Sequence, residues 1–430
     1  MTLLIIADDL SGAADCAIAF ASAGLSTVVT LDAGHDVGDA QVVAVDTDTR
    51  RLSPEHAAAQ TLSACDALLK PGQRLYKKID STLRGNWAAE VAALQPVAGL
   101  AIVAPAFPAT GRTTLHGHVL VNGQPLETTD TWKLEHADRS ADIGGMLDAA
   151  GLRSAHLSLG VLRSGTVALA RHLGDVARSD VQALIVDAQT GEDLHLLAAA
   201  TASLSQPLFW VGSGGLAREL AQLPAYSPAS SKTPGFTYQK HAPTLVLVGS
   251  LSDVSERQCA LLKQRTSIGE LTVPPDVLRV GVAHPDWAGW QIRVGESLRR
   301  GEDLLLRIGR DASFDPAEGA RLSTLLAALV RPHFGKVGGL IATGGETARA
   351  MLGAVGIGSL QLRCEIEAGV AFATPISSNQ GHQTGVITKA GAFGTDHALY
   401  AAWLHMNNAV EPEESCHGSV SNPALQGNQT

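Results

Sequence analysis

Short apolar blocks, each closed by an acid or a glycine and followed by a helix-forming stretch, set the terms for this chain. Leu3–Ala7 ends at Asp8-Asp9 and leads into an Ala-rich helix from about Ala13 to Ala23, which Gly24 ends. Ser26–Leu31 and Gln41–Asp46 follow as strands, then a helix from Pro54 to Leu69. The alternation continues through Leu100–Ala104, Ala155–Leu159, Ala183–Val186 and Pro207–Val211, and restarts at Thr244–Val248. Strands alternating with helices at this spacing mean βαβ units and a parallel sheet. The expected fold is α/β, with two lobes, each a mostly parallel sheet flanked by helices, and an active site in the cleft between them. Ligands of such sheets sit at the carboxyl ends of strands. Asp8-Asp9, Asp46, Asp80-Ser81, Pro105 and Gly212-Ser213 are therefore expected on one rim.

The run Pro224–Gly235 is rich in Pro, Ser and Gly and predicts an extended linker. The lobes are expected at 1–235 and 244–410, with a polar, aperiodic and disordered tail at 411–430. A hydrophobic content of 45% with 17% charged residues is that of a soluble α/β enzyme. The net charge of −10 argues against general nucleic-acid binding but not against one locally cationic pocket for a small anion. Cys16, Cys65, Cys259, Cys364 and Cys416 are scattered without a CxxC and read as reduced thiols. The start lacks a basic signal-peptide region, and no run approaches the roughly 18 apolar residues of a membrane span. A cytoplasmic protein without nucleic-acid or membrane partners is expected, with homo-oligomerisation left open.

Tyr76–Asn86 is the most directive stretch. A strand lead-in runs into Lys77, Lys78, Asp80, Ser81, Thr82, Arg84, Gly85 and Asn86. Arg offers a planar fork for a carboxylate or phosphate, and Lys a mobile point charge. Asp holds a hydroxyl or a metal, and Gly lets backbone approach a ligand. The composition suits a small, anionic, hydroxyl-rich molecule; a solvated strand end with a helix cap is the plainer account.

Other loops share this placement. In Asp8-Asp9-Leu10-Ser11-Gly12, one acid is expected to cap the helix while the other faces a cleft. Two prolines and Gly111 form a rigid turn that presents Arg112 to a substrate carboxylate. His116 and His118 lack a third candidate ligand nearby and read as surface histidines. Gly212-Ser213-Gly214-Gly215 makes an anion-friendly nest but not a dinucleotide fingerprint. Three turns of the second lobe, at Gly249–Ser252, Gly344–Thr347 and Lys389–Gly394, together point to nucleotide phosphates. There is no GxxxxGK[ST], no GxSxG, no HExxH, and no HRD or DFG.

As a set, these residues resemble the four-carbon acid sugar kinase family. The resemblance rests on Ile6–Asp9 with Ser11, Gly12 and Asp15, on Lys78–Asn86, and on Pro105-Ala106 with Gly111-Arg112. It continues through Val211–Gly215, Gly344–Thr347 and Lys389–Gly394. It implies a substrate-binding first lobe, a nucleotide-binding second lobe, and phosphorylation of the terminal hydroxyl of threonate, erythronate or 3-oxo-tetronate with ATP and Mg²⁺. ATP contacts are implied for Ser250 or Ser252, for Gly344, Gly345, Glu346 and Thr347, and for Lys389, Gly391 and Gly394. Substrate contacts are implied for Asp8, Ser81, Arg84, Gly85, Asn86, Arg112, Gly212, Ser213 and Gly214. Leu83–Asn86 tilts the expectation toward D-threonate or D-erythronate. Ala390 and Ala392 stand where the family often has Ser and Asn, which removes side-chain contacts but keeps the backbone N–H groups.

In-line phosphoryl transfer needs positioning and charge neutralisation more than covalent chemistry. Arg84 or Arg112 would take the acid's carboxylate, and Lys78 the carboxylate or the γ-phosphate. Asp80 or Asp9 would orient or deprotonate the 4-hydroxyl, the metal ligands staying open. Closure about the 224–243 linker would exclude water. A sugar-acid sensor without turnover is the rival. A nicotinamide oxidoreductase is disfavoured by the missing GxGxxG after the first strand.

Overall fold

The computed structural model describes residues 2–129, 132–133, 140–226, 238–312, 315, 318–376, 384–391 and 393–409. Most of the expected linker, the tail 411–430 and Ala392 lie outside them. The first half carries β1 (Leu3–Ala7), β2 (Thr27–Thr30), β3 (Val42–Asp46), β4 (Arg74–Lys78), β5 (Leu100–Ala104) and β6 (Arg112–Leu115). It continues with β7 (His118–Val121), β8 (Gln124–Pro125), β9 (Ser154–Leu157), β10 (Ala183–Val186) and β11 (Leu208–Gly212). The second half carries β12 (Thr244–Val248), β13 (Gly269–Val273), β14 (Leu304–Ile308), β15 (Gly339–Thr343), β16 (Ser359–Glu367), β17 (Val370–Pro375) and β18 (Gly385–Lys389).

In the first half the order is β2-β3-β1-β4-β11-β5-β10-β9, all parallel. In the second, β13-β14-β12-β15-β18 are parallel, and β17 and β16 follow antiparallel. Antiparallel pairing of β16 with β2, Ser359 opposite Thr30 and Gln361 opposite Val28, joins the halves into one 15-stranded sheet. The halves are thus tied by backbone pairing as well as by the linker. The strand order reverses between β1 and β4 in the first half and between β12 and β15 in the second. Such reversals open a crevice beyond the strand ends, where ligands of α/β sheets bind.

Successive side chains of a strand point to opposite faces. Leu3, Ile5 and Ala7 join an apolar core that runs through both halves, whereas Leu4 and Ile6 join a core confined to the first. The shared core is covered by the helix Leu10–Ser22, which also packs on β16 and on the helix Gly345–Ala354. Ala13, Ala14 and Ala17 are small enough to be buried against these neighbours. That helix starts three residues earlier than expected, because Asp9 caps it: its Oδ1 accepts from Gly12 N at 3.0 Å. Among the described residues no helix is long and apolar enough to cross a membrane.

The same alternation separates the two lysines of β4. Lys77 is fully buried with its Nζ 2.8 Å from Glu90 Oε2, an ionic contact without hydrogen-bond geometry. Glu90 Oε1 accepts from the Thr49 and Thr61 hydroxyls. Lys78 points to the other face, toward the helix Leu10–Ser22. Removing one partner of a buried ion pair strands the other charge. Lys77→Met is therefore expected to cost about 3–5 kcal/mol of unfolding free energy, read as a lower urea midpoint. Adding Glu90→Leu should recover most of that loss; a silent single variant would show that the pair carries no weight.

Candidate functional site: the rim between the halves

The loops after β1 and β4 flank the first crevice. Asp8 is buried at the end of β1 and receives Arg50 bidentately, Nε to Oδ2 at 2.8 Å and Nη2 to Oδ1 at 2.9 Å. Burial opposes its ionisation, but the Arg50 guanidinium outweighs this and holds the carboxyl below its usual range. Arg50 Nη2 also reaches Asp9 Oδ1 at 2.9 Å, so one arginine fixes both acids. Gly85 lies against this cluster with φ +81°, and a Cβ there would sit 2.8 Å from Asp8 Oδ2. Only glycine fits such an approach in the left-handed region. Asn86 Nδ2 donates to the carbonyls of Thr49 and Leu52 and so fastens the loop that carries Arg50.

Asp80 is clamped by Arg84, with Nε to Oδ2 and Nη2 to Oδ1 both at 2.8 Å, and by the amide and hydroxyl of Thr82. Burial works against its charge, yet Arg84, then Arg50 and Lys78, hold it well below the ordinary carboxylate range. Arg84 is correspondingly committed to Asp80. Ser81 is buried and, among the described residues, makes no side-chain hydrogen bond. Lys78 Nζ lies 2.8 Å from where a Cβ on Gly12 would stand, over the first turn of the capped helix. It has no ion-pair partner among the described residues. Burial opposes its charge, while Cys16 and then Asp9, Asp8 and Asp80 raise its pKa above the ordinary lysine value.

Arg112 opens β6, part of a three-stranded flap (β6-β7-β8) outside the main sheet. Its Nη1 donates to Thr110 O at 2.7 Å, and its Cζ stands 5.4 Å from the ring centre of Phe393 in the other half. Its buried Nε has no protein partner among the described residues. His116 and His118 sit at the flap's turn, where the His116 and Gly117 amides donate to Asp187 at 2.9 and 3.0 Å. Gly212, Ser213 and Gly214 reach the same rim but meet the protein itself. A Cβ on Gly212 would lie 2.7 Å from the Tyr76 hydroxyl, and one on Gly214 would lie 2.2 Å from Asp15 Oδ2. Ser213 Oγ donates to Ala106 O at 2.8 Å and caps the following helix.

In the second half, the helix Gly345–Ala354 starts at Gly344 (φ +99°) with no side-chain cap. Its first-turn N–H groups are left to an external acceptor, the arrangement that favours an anion. Helices Leu10–Ser22, Gly214–Ala221 and Asp253–Arg265 are instead capped by Asp9, Ser213 and Ser252. Ser250, Ser252 and Ser255 form a hydroxyl chain that ends on Gly391 O. A Cβ on Gly391 would sit 2.8 Å from Ser250 Oγ and 4.0 Å from Gly344 Cα.

Lys389 spends its ammonium on the carbonyls of Ala390, Gly391 and Phe393, at 2.9, 3.1 and 2.9 Å. It therefore shapes the turn that carries Gly391. Burial brings its pKa down to about 8. Thr347 is buried against the Ser323 hydroxyl at 3.0 Å, and Glu346 pairs with Arg51 of the first half at 2.7 Å. Gly394 takes φ +87° against Glu367 Oε1.

The two crevices meet at Asp9. A Cβ on Gly345 would lie 3.1 Å from Ser11 Oγ and 3.2 Å from Asp9 Oδ2, while Lys78 flanks Asp9 on the other side. Ser11 Oγ is buried without a partner among the described residues. An uncapped helix end, an unpaired ammonium and a fixed carboxylate thus share one place. Such a site suits neutralising and orienting a phosphoryl group beside a hydroxyl-bearing anion. Arg50, Ser11 and Phe393 were not among the expected site residues; Arg50 announces itself only as the basic pair Arg50-Arg51 after a rim strand.

Two family models match: a sugar-binding N-terminal domain over residues 3–220 and a nucleotide-binding C-terminal domain over residues 245–399. A D-threonate kinase of Cupriavidus necator is 54% identical, covering 96% of this chain and 100% of that protein. A D-threonate kinase of Bordetella bronchiseptica is 33% identical over 93% of this chain and 96% of its own. A solved structure from Salmonella typhimurium superposes with a TM-score of 0.77 at 21% identity, over 93% of this chain and 98% of that one, and supports the fold. With both halves matched and a relative sharing 54% of its residues, the chain belongs to the four-carbon acid sugar kinase family.

Proposed function

We propose that this protein transfers the γ-phosphoryl group of ATP to the 4-hydroxyl of a four-carbon sugar acid, and that the acid is D-threonate. The observation that carries the reading is the meeting of Lys78 and Asp9 with the uncapped helix end at Gly344-Gly345. D-threonate is the acid named for both relatives described above. Residues 1–235 bind the sugar acid in this reading, and residues 244–410 bind the nucleotide. The family's consumption of ATP and the scattered free thiols Cys16, Cys65, Cys259 and Cys364 suit the cytoplasm.

The acid's carboxylate goes to Arg112, whose Nε lacks a protein partner, rather than to Arg84, which is committed to Asp80. Ser81 offers a hydroxyl to the sugar chain. Asp9 orients the 4-hydroxyl, because its Oδ2 faces the Gly345 turn while Oδ1 is spent on Gly12 and Arg50. Asp80, held far below the usual range, is too weak a base and acts as a fixed anion that adds to the larger effect of Asp9 and Asp8 in keeping Lys78 charged. Lys78 neutralises the transferred group, and the N–H groups after Gly344 cradle the phosphates. Mg²⁺ fits as an ion held chiefly by phosphate and water, since no three His, Cys, Asp or Glu converge among the described residues. Bound in that way, it would supply charge neutralisation on the nucleotide.

An ADP-release assay over D-threonate, D-erythronate and 3-oxo-tetronate is expected to give the highest kcat/KM with D-threonate. Absence of turnover on all three would refute the kinase reading. Asp9→Asn should lower kcat at least about a hundredfold. Asn caps a helix as well as Asp does, so the melting temperature should hold; turnover near wild type would remove Asp9 from the reaction. Arg112→Ala should raise KM for the acid by about ten- to a hundredfold, the worth of a charged hydrogen bond. An unchanged saturation curve would place the carboxylate elsewhere.

The pH dependence follows from Lys389. It is protonated below about 8 and loses a donor to its turn above that. KM for ATP is therefore expected to rise from about pH 7 to about pH 9. The unfolded chain keeps this proton up to the ordinary 10.5, so between the two values Lys389 itself makes folding more favourable as pH rises. A flat KM alongside intact fold across that window would dissociate Lys389 from the nucleotide turn.

A further inference from the structure

We infer that Phe393, a residue of the nucleotide half, is a positioning residue for the acid substrate: it holds the Arg112 guanidinium from across the cleft. The inference rests on the reading that Arg112 takes the acid's carboxylate. Among the described residues the Arg112 guanidinium makes one hydrogen bond, Nη1 to Thr110 O at 2.7 Å, in the turn just before the flap. The ring centre of Phe393, 5.4 Å from Cζ, supports it from the opposite half, and Nε is left buried and unpartnered among the described residues. A guanidinium held over a ring face by its charge does not spend all its N–H donors there, and free donors are what a carboxylate needs.

Both sides of the stack are anchored. The Phe393 carbonyl accepts from Lys389 Nζ at 2.9 Å and from Gln258 Nε2 at 3.1 Å, and its ring packs over Gly369. The far end of β6 is tied to the core by the His116 and Gly117 amides on Asp187 and by paired backbone bonds between Thr114 and Ala188. Nearby charges cannot do this job alone, since Asp80 attracts the Arg112 guanidinium while Arg84 repels it. Grip on the acid therefore depends on the turn that also carries Gly391.

Steady-state kinetics with D-threonate and ATP test this. Phe393→Leu, or Phe393→Met if the first is insoluble, should raise KM for the acid about three- to thirtyfold, the worth of a partly desolvated cation–π contact. KM for ATP should stay within about twofold, and Phe393→Tyr, which keeps the ring face, should match wild type. In an Arg112→Ala background, Phe393→Leu should change the acid KM no further. The inference is overturned if the Leu and Tyr variants behave alike, if ATP KM moves as far as acid KM, or if the two effects multiply. A wild-type protein inactive on every four-carbon acid would instead fell the underlying reading and this inference with it.

Discussion

The antiparallel pairing of β2 with β16 is the constraint on which the rest of the molecule depends. Without it there would be two sheets on a tether; with it there is one, and the two strand-order reversals face a common cleft. Side chains reinforce the joint. Leu31 N and Thr30 Oγ1 donate to Gly358 O, Gln361 Nε2 donates to Thr27 O, and Ser359 Oγ meets Thr30 Oγ1. Arg349 carries the connection toward the rim, bonding Leu31 O and pairing with Asp46 at 2.7 Å and Asp48 at 3.1 Å.

These contacts explain how glycine turns and acids 250 residues or more apart in sequence come into register. Helix Gly345–Ala354 is held by Arg349 at its middle and by the Glu346–Arg51 pair in its first turn. Its uncapped first turn consequently lies against Asp9 and Ser11 of the first half, where a Cβ on Gly345 would stand 3.2 and 3.1 Å from their side-chain oxygens. On the opposite flank Arg218 reaches Glu365 of β16 and Asp15 at 3.5 Å, and stacks near Phe107. The cleft is lined with charge pairs that cross it, so closure would have to work within a frame already braced on two sides.

Much of this was legible because fully buried parallel strands leave uninterrupted apolar blocks. Leu3–Ala7, Leu100–Ala104, Ala183–Val186 and Thr244–Val248 can be read directly and coincide with β1, β5, β10 and β12. Of the two strands in the joint, β2 is legible as the block Ser26–Leu31, but its partner β16 is not. β16 is half-exposed along Gln361, Arg363, Glu365 and Glu367, and its polar residues resemble a loop. The flap is short, and its second turn gives no signal beyond Asn122-Gly123. The site's acids and glycines were visible as clusters at strand ends. Their partners Arg50, Arg218 and Arg349 were not, because a pairing between residues tens to hundreds of positions apart leaves no local mark. Likewise nothing in Lys77-Lys78 says which lysine the fold consumes; the alternation of faces decides it.

The shared sheet also bears on what each half could be alone. Cutting the chain between Tyr226 and Tyr238 would bare β2 on one fragment and β16 on the other. Bare strand edges seek new partners, and here each fragment's natural complement is the other. Co-produced fragments should therefore zip back together without a covalent connection, whereas either one by itself should be sticky and poorly soluble.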